Sequence, residues 1–386
     1  MQRKAVLSLL AFVASFASIS ATSNRPPAFG DSLPGLTPSQ RAAFVDGLAE
    51  FTQVETVDDG LGPVFNEASC AACHSVPVVG GGSARLETRF GTLTDRKFDP
   101  LTQFGGSLIQ DHAIEGFQPE SVPTEATIVA RRRTTPLFGL GLVDAVPDGD
   151  FFLIAAQEAQ RNDGTAGRVH IVPDLVHGGT AVGKFGWKAQ VPNLKQFAAD
   201  AYLNEMGITN PLFTAENCPS GDCQYLEDHN PAPGLNDDGQ GVVQFTDFMT
   251  MLDAPPRALG RGRAEAGEKV FNDIGCSSCH LPTLKTGRSD IPALRNQPFH
   301  PYSDFLLHDM GSLGDGIVQG DAKGVEIRTA PLWGLRMITT FLHDGRATTI
   351  EQAILAHEGQ GGAARQRFSA LDAKRRADLL EFLKSL

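Results

Sequence analysis

The chain is sparing with the residues that usually announce chemistry. Its 386 residues hold 6 cysteines, 6 methionines, 3 tyrosines and 2 tryptophans. So few thiols exclude a disulfide-built scaffold, which small domains need and a chain of this length does not. Cations are also short, with 33 Lys and Arg against 45 Asp and Glu, a formal net charge of −12. That balance excludes nucleic acid as a partner and fits a protein partner with a basic docking face. Beyond the first 19 residues no apolar run approaches the roughly 20 residues that a membrane-spanning helix needs. The mature chain is therefore expected to be soluble and without a membrane span. Glycine (41) and proline (24) are abundant, so long ordered loops are expected.

The amino terminus reads as an export signal. Arg3 and Lys4 precede an apolar run over residues 5–19, small residues follow as far as Ala21, and a polar stretch begins at Thr22. Residues 1–21 form a cleavable signal peptide on this reading, and the mature protein is periplasmic. Losing Arg3 and Lys4 takes the net charge to −14.

Four of the six cysteines fall into two copies of C-x-x-C-H: Cys70, Cys73 and His74, then Cys276, Cys279 and His280. This is the attachment pattern of c-type haem. Residues i, i+3 and i+4 share one face of a helical turn, so two thiols can meet two vinyl groups and the imidazole reaches the iron. A zinc site or a thiol redox pair has no use for the fifth residue. Two covalently bound haem c groups are expected. The remaining pair, Cys218 and Cys223, brackets a turn and suits a loop-closing disulfide in an oxidising compartment.

The motifs sit inside a longer duplication. Val64-Phe65-Asn66 and Val270-Phe271-Asn272 precede them, and Arg133-Thr134-Thr135-Pro136-Leu137-Phe138-Gly139-Leu140 is matched by Arg328-Thr329-Ala330-Pro331-Leu332-Trp333-Gly334-Leu335. The expected fold is all-α: two cytochrome c-like domains with long loops, over residues 22–162 and 257–386, and an insertion or linker over 163–256. Helices are expected over 38–53, with Thr37 as N-cap and Pro38 at the first position, and over 154–161, 194–206, 246–252, 262–272 and 370–386. Strand-like alternation is scarce.

The copies differ where a sixth iron ligand would sit. Behind His343-Asp344-Gly345, a segment capped by Thr348 or Thr349 puts Ile350, Ala353, Ile354 and His357 on one helical stripe. His357 is the first candidate ligand of haem 2 and Met310 its rival. The first copy has Pro147-Asp148-Gly149 and then no histidine or methionine, so haem 1 reads as open, unless His112 closes it.

These motifs, with Phe185-Gly186-Trp187-Lys188-Ala189, the stretch from Tyr302 to Met310 and Phe341-Leu342-His343-Asp344-Gly345-Arg346, resemble the bacterial di-haem oxidoreductase family, a peroxidase-related group. The resemblance runs from about residue 60 to the end. More distantly the chain is similar to the di-haem cytochrome c peroxidases, in which the position of His357 holds methionine and that of Pro147 holds tryptophan. It implies electrons entering at haem 2 from a small periplasmic donor protein, crossing near Trp187 and reducing hydrogen peroxide at haem 1. Gln110, His112, Glu115 and Asp144 are candidates for the distal group there, Gln110 only as an orienting amide. Arg131, Arg132 or Arg133 could supply positive charge. A haem oxygenase or a high-valent oxidase of an organic or protein substrate, using dioxygen or peroxide, stays open, as does a plain two-haem carrier. Calcium finds no run of carboxylates at loop spacing; Asp237-Asp238-Gly239 is a weak pointer.

Overall fold

A computed structural model describes residues 26–258 and 262–386. The signal-peptide residues lie outside it. Two helix pairings organise the chain. Pro38–Thr52 packs on Gln240–Met251, which also meets Leu194–Met206, and Arg263–Asp273 packs on Ala373–Ser385. The first helix begins as its sequence dictates. Thr37 accepts from the Gln40 amide, the Gln40 side chain reaches back to the Thr37 N–H, and Pro38 fills the first turn. Phe44 and Phe51 on its inner face join Phe245 and Phe248 in the larger core. A second core gathers Phe271, Tyr302, Phe368 and Phe382. Region 163–256 thus supplies two helices to the wall around the first motif. No helix among the described residues is long and apolar enough to cross a membrane.

The fold is not all-α. About 37% of the chain is helical and 15% lies in strands, so the architecture is mixed α and β. A three-stranded antiparallel sheet runs in the order Lys97–Asp99, Leu86–Thr94, Ile128–Arg133, and short two-stranded ladders are scattered elsewhere. The register pairs Glu87 with Arg132 and Arg89 with Ala130. Glu87, Arg89 and Arg132 therefore share one face, while Phe90, fully buried, points to the other with Leu101 and Ile109. A charged face hides the apolar alternation that marks a strand, which is why this sheet was not expected.

The duplicated segments meet face to face. Gly139 and Gly334 each open a helical turn with φ near +70°, at +71° and +73°. A Cβ on Gly139 would stand 2.8 Å from the Trp333 ring. Only glycine fits there, on both counts.

Candidate haem sites

Each C-x-x-C-H stands on a tight turn after a helix that contributes one phenylalanine. The Phe51 ring lies 6.0 Å from that of His74, and the Phe271 ring 6.4 Å from that of His280. Both histidines tie Nδ1 to a backbone carbonyl, His74 to Gly81 at 3.0 Å and His280 to Tyr302 at 2.9 Å. That bond makes Nδ1 the donor and leaves Nε2 unprotonated, the form in which imidazole ligates a metal. Burial presses both pKa values down to about 4, so the rings stay neutral. Burial also pushes the Cys70, Cys73 and Cys276 thiols up to about 12. A reactive thiol pair needs the opposite shift.

Beside the first motif lies a cleft whose wall includes Cys70, Cys73 and His74. One part of the wall is apolar, with Phe51, Leu137, Phe197, Phe245, Met206 and Met249. The other is charged, with Glu87, Arg89, Arg132, Arg133, Asp200 and Glu205. Of the sequence-nominated residues Arg132, Arg133 and Trp187 join this wall. The Trp187 indole N–H donates to the Arg133 carbonyl at 2.9 Å, and its ring meets His343 edge-on at 6.1 Å. Arg131 is exposed, outside the wall.

The other four candidates lie elsewhere. Gln110 is buried with its amide on the Asn204 carbonyl at 2.9 Å. His112 is exposed, paired with Asp111 at 2.7 Å and stacked on Phe65. Glu115 is exposed. Asp144 ends a short helix beneath Lys184, and burial raises its pKa to about 6.

What the sequence reading missed is Glu205. Burial, then the charge of Glu87, hold its carboxyl up to about 7, while Asn66 donates to it at 2.7 Å. Its signal was present: Phe197, Ala198, Ala201, Tyr202 and Glu205 form one stripe of a helix, apolar until the carboxylate. Glu87 behaves differently. Against its burial, Arg89 and Arg132 hold it below the usual carboxylate range.

Around the second motif, Met310 and His357 converge. A Cβ on Gly361 would lie 3.1 Å from His357 and 3.4 Å from the Met310 methyl. Thr349 caps the helix Ile350–Leu355, so His357 stands just past its end rather than on it. His357 Nδ1 bonds the Ala353 carbonyl at 2.8 Å, and the ring is close enough to His280 for their charges to interact. Beside them His308 pairs with Asp304 at 3.0 Å, both buried, and approaches Cys279 at 3.6 Å. Asp304 keeps His308 protonated against its burial. Cys279, Asp304 and His308 could hold a metal ion by proximity alone, yet Cys279 belongs to the haem motif.

Residues 118–386 match the family described as "Di-haem oxidoreductase, putative peroxidase". The chain belongs to that family. Membership implies haem cofactors and an oxidoreductase, and the matched stretch contains the second C-x-x-C-H. No curated protein matches the chain. Among solved structures, a MauG-like protein associated with microbial copper homeostasis aligns over 94% of both chains at 14% identity and TM-score 0.41. A di-haem peroxidase of Burkholderia thailandensis covers 91% of this chain and 86% of its own at 13% and 0.40. Kuenenia stuttgartiensis hydrazine synthase covers 100% of both at 13% and 0.39. These likenesses are too distant to carry a function across.

As a member of the di-haem oxidoreductase family, the chain must offer an apolar face and counter-charge for porphyrins, and the first cleft does. Its apolar wall suits the ring. Arg132 Nη2 and Arg133 Nε, buried and without a hydrogen-bond partner among the described residues, suit the propionate carboxylates. Cys70, Cys73 and His74 would hold the group.

Proposed function

We propose that the protein is an exported, periplasmic enzyme that reduces hydrogen peroxide to water, with haem c joined to Cys70 and Cys73 and a second haem c joined to Cys276 and Cys279. One observation carries this reading: a titratable carboxyl, Glu205, shares a single cleft with a C-x-x-C-H motif. Bound haem would supply the iron that takes peroxide and the electrons that water formation consumes.

The remaining work falls to side chains. Heterolysis needs a group that takes a proton from the near oxygen and returns it to the leaving one. Glu205 titrates near neutral pH, where such a group is most effective, and Asn66 orients it. His74 is the one imidazole among the described residues lining the cleft. At the second site His280 and His357 are a neutral pair suited to electron transfer. Trp187 supplies an electron-rich ring between the two halves. The donor is a small periplasmic protein with a basic docking face, as the charge of −14 left after loss of Arg3 and Lys4 favours.

Low-temperature EPR of the ferric holoprotein, set beside peroxide turnover with a reduced small cytochrome, tests the reading. One high-spin and one low-spin iron with peroxide consumption are expected. Two low-spin irons in every redox state, with no consumption, would reduce the protein to an electron carrier.

A further inference from the structure

Next to Trp187, Lys188 is fully buried with an unusual set of neighbours. Its ammonium touches the backbone carbonyls of Glu326 at 2.5 Å, Lys323 at 3.0 Å and Gly324 at 3.3 Å, and Asp315 Oδ1 at 3.0 Å. Three carbonyl oxygens and one carboxylate oxygen form a hard-cation donor set. All four come from the 315–326 loop, which closes on itself through the Gly316 amide and the Gly324 carbonyl at 3.0 Å. We propose that this loop is a cation cage, that Lys188 is its tethered cation, and that the pair positions Trp187. A free monovalent cation is the ligand the cage would take in place of the ammonium.

The charge count selects monovalent over divalent. Asp315 is the one carboxylate on the ammonium among the described residues, and its other oxygen is already taken by Arg132 Nε at 2.7 Å. A divalent ion would find too little negative charge. Burial draws the Lys188 pKa down to about 8, which leaves the ammonium charged at neutral pH.

The cage bears on Trp187 through the backbone. The Lys188 carbonyl takes a hydrogen bond from His170 Nδ1 at 2.9 Å, while His170 Nε2 accepts from the Asp321 amide at 3.2 Å. Arg328 donates its amide to the Trp187 carbonyl at 2.8 Å and its Nε to the Gly186 carbonyl at 2.7 Å. The segment 186–188 is thus clasped on both sides by the second half of the chain, and Lys188 is the clasp whose loss leaves a charge-lined hole. The positioning role rests on Trp187 as electron relay; the cage itself does not.

The test is Lys188→Ala in the holoprotein, which removes propylammonium and leaves Cβ, with Lys188→Met as the filled, uncharged control. Thermal unfolding and peroxide turnover are followed in n-propylammonium chloride, potassium chloride and, at equal ionic strength, tetramethylammonium chloride. Lys188→Ala is expected to unfold roughly 5 °C lower, as removing one partner of a buried ion pair costs. Propylammonium and potassium should restore most of that loss, tetramethylammonium none, and Lys188→Met should not respond. A variant as stable as the parent, or a loss that no cation repairs, overturns the cage. Stability recovered without turnover overturns the positioning role alone. If the cage stands and Trp187→Phe leaves turnover unchanged, the relay is what failed.

Discussion

Trp187 and His343 come from opposite halves of the chain and meet edge to face, their ring centres 6.1 Å apart. Arg133 joins them, its carbonyl accepting from the indole and its amide donating to the His343 carbonyl at 2.7 Å. Replacing Trp187 by Phe keeps a ring but loses the hydrogen bond and the electron-rich indole. Stability should fall by about 1 kcal/mol, whereas turnover falls roughly tenfold or more. Stopped-flow reduction of the first haem, with spin states unchanged by EPR, separates that loss from misfolding.

Glu205 sets the acidic limb of the activity profile. The carboxylate form accepts the peroxide proton, so the rate should fall as pH drops below about 7, where the group becomes protonated. Glu205→Gln should lower kcat/KM by about 10²–10³ and abolish that limb. Asn66→Ala removes the donor that lowers the Glu205 pKa. The limb should then move to higher pH, measured as kcat/KM across pH 5–9.

The sequence made some of this legible. The motifs, the Thr37 cap and the paired glycines at 139 and 334 are local signals, and local signals survive in a single chain. The sheet was hidden because Glu87, Arg89 and Arg132 occupy the strand face where apolar residues would have betrayed it. Glu205 was hidden by its position in a region without a counterpart in the other copy, where duplication could not guide the eye. Gln110, His112 and Glu115 attracted attention through residue type near the first motif. Chain proximity does not fix a wall: Gln110 turns to Asn204, and His112 and Glu115 face solvent.

Asp144 makes stability depend on pH. Its folded pKa of about 6 stands above the ordinary 3.8, chiefly through burial. The folded state therefore binds more protons than the unfolded state between these values, and stability falls as pH rises through that window. The loss is roughly 3 kcal/mol, complete above pH 6. Asp144→Asn should flatten this part of the curve, followed by urea unfolding at pH 4, 5, 6 and 7.

Gly361 brings His357 and Met310 to one spot, so the sixth ligand of the second haem can be decided by paired substitutions. His357 carries the geometry of a ligand: Nδ1 is engaged by the Ala353 carbonyl, burial keeps the ring neutral, and His280 is close by. The Met310 methyl rests against Gly361 beside the imidazole, and among the described residues its sulfur has no comparable tether. His357→Ala should therefore convert the low-spin iron to high spin and slow electron entry, whereas Met310→Leu should leave the EPR spectrum unchanged. Where imidazole is the native ligand, His357→Met should keep the iron low-spin and raise its potential, since thioether ligation favours the reduced state. If Met310→Leu alone produced the high-spin signal, the thioether would be the ligand and His357 a packing residue held by its carbonyl bond.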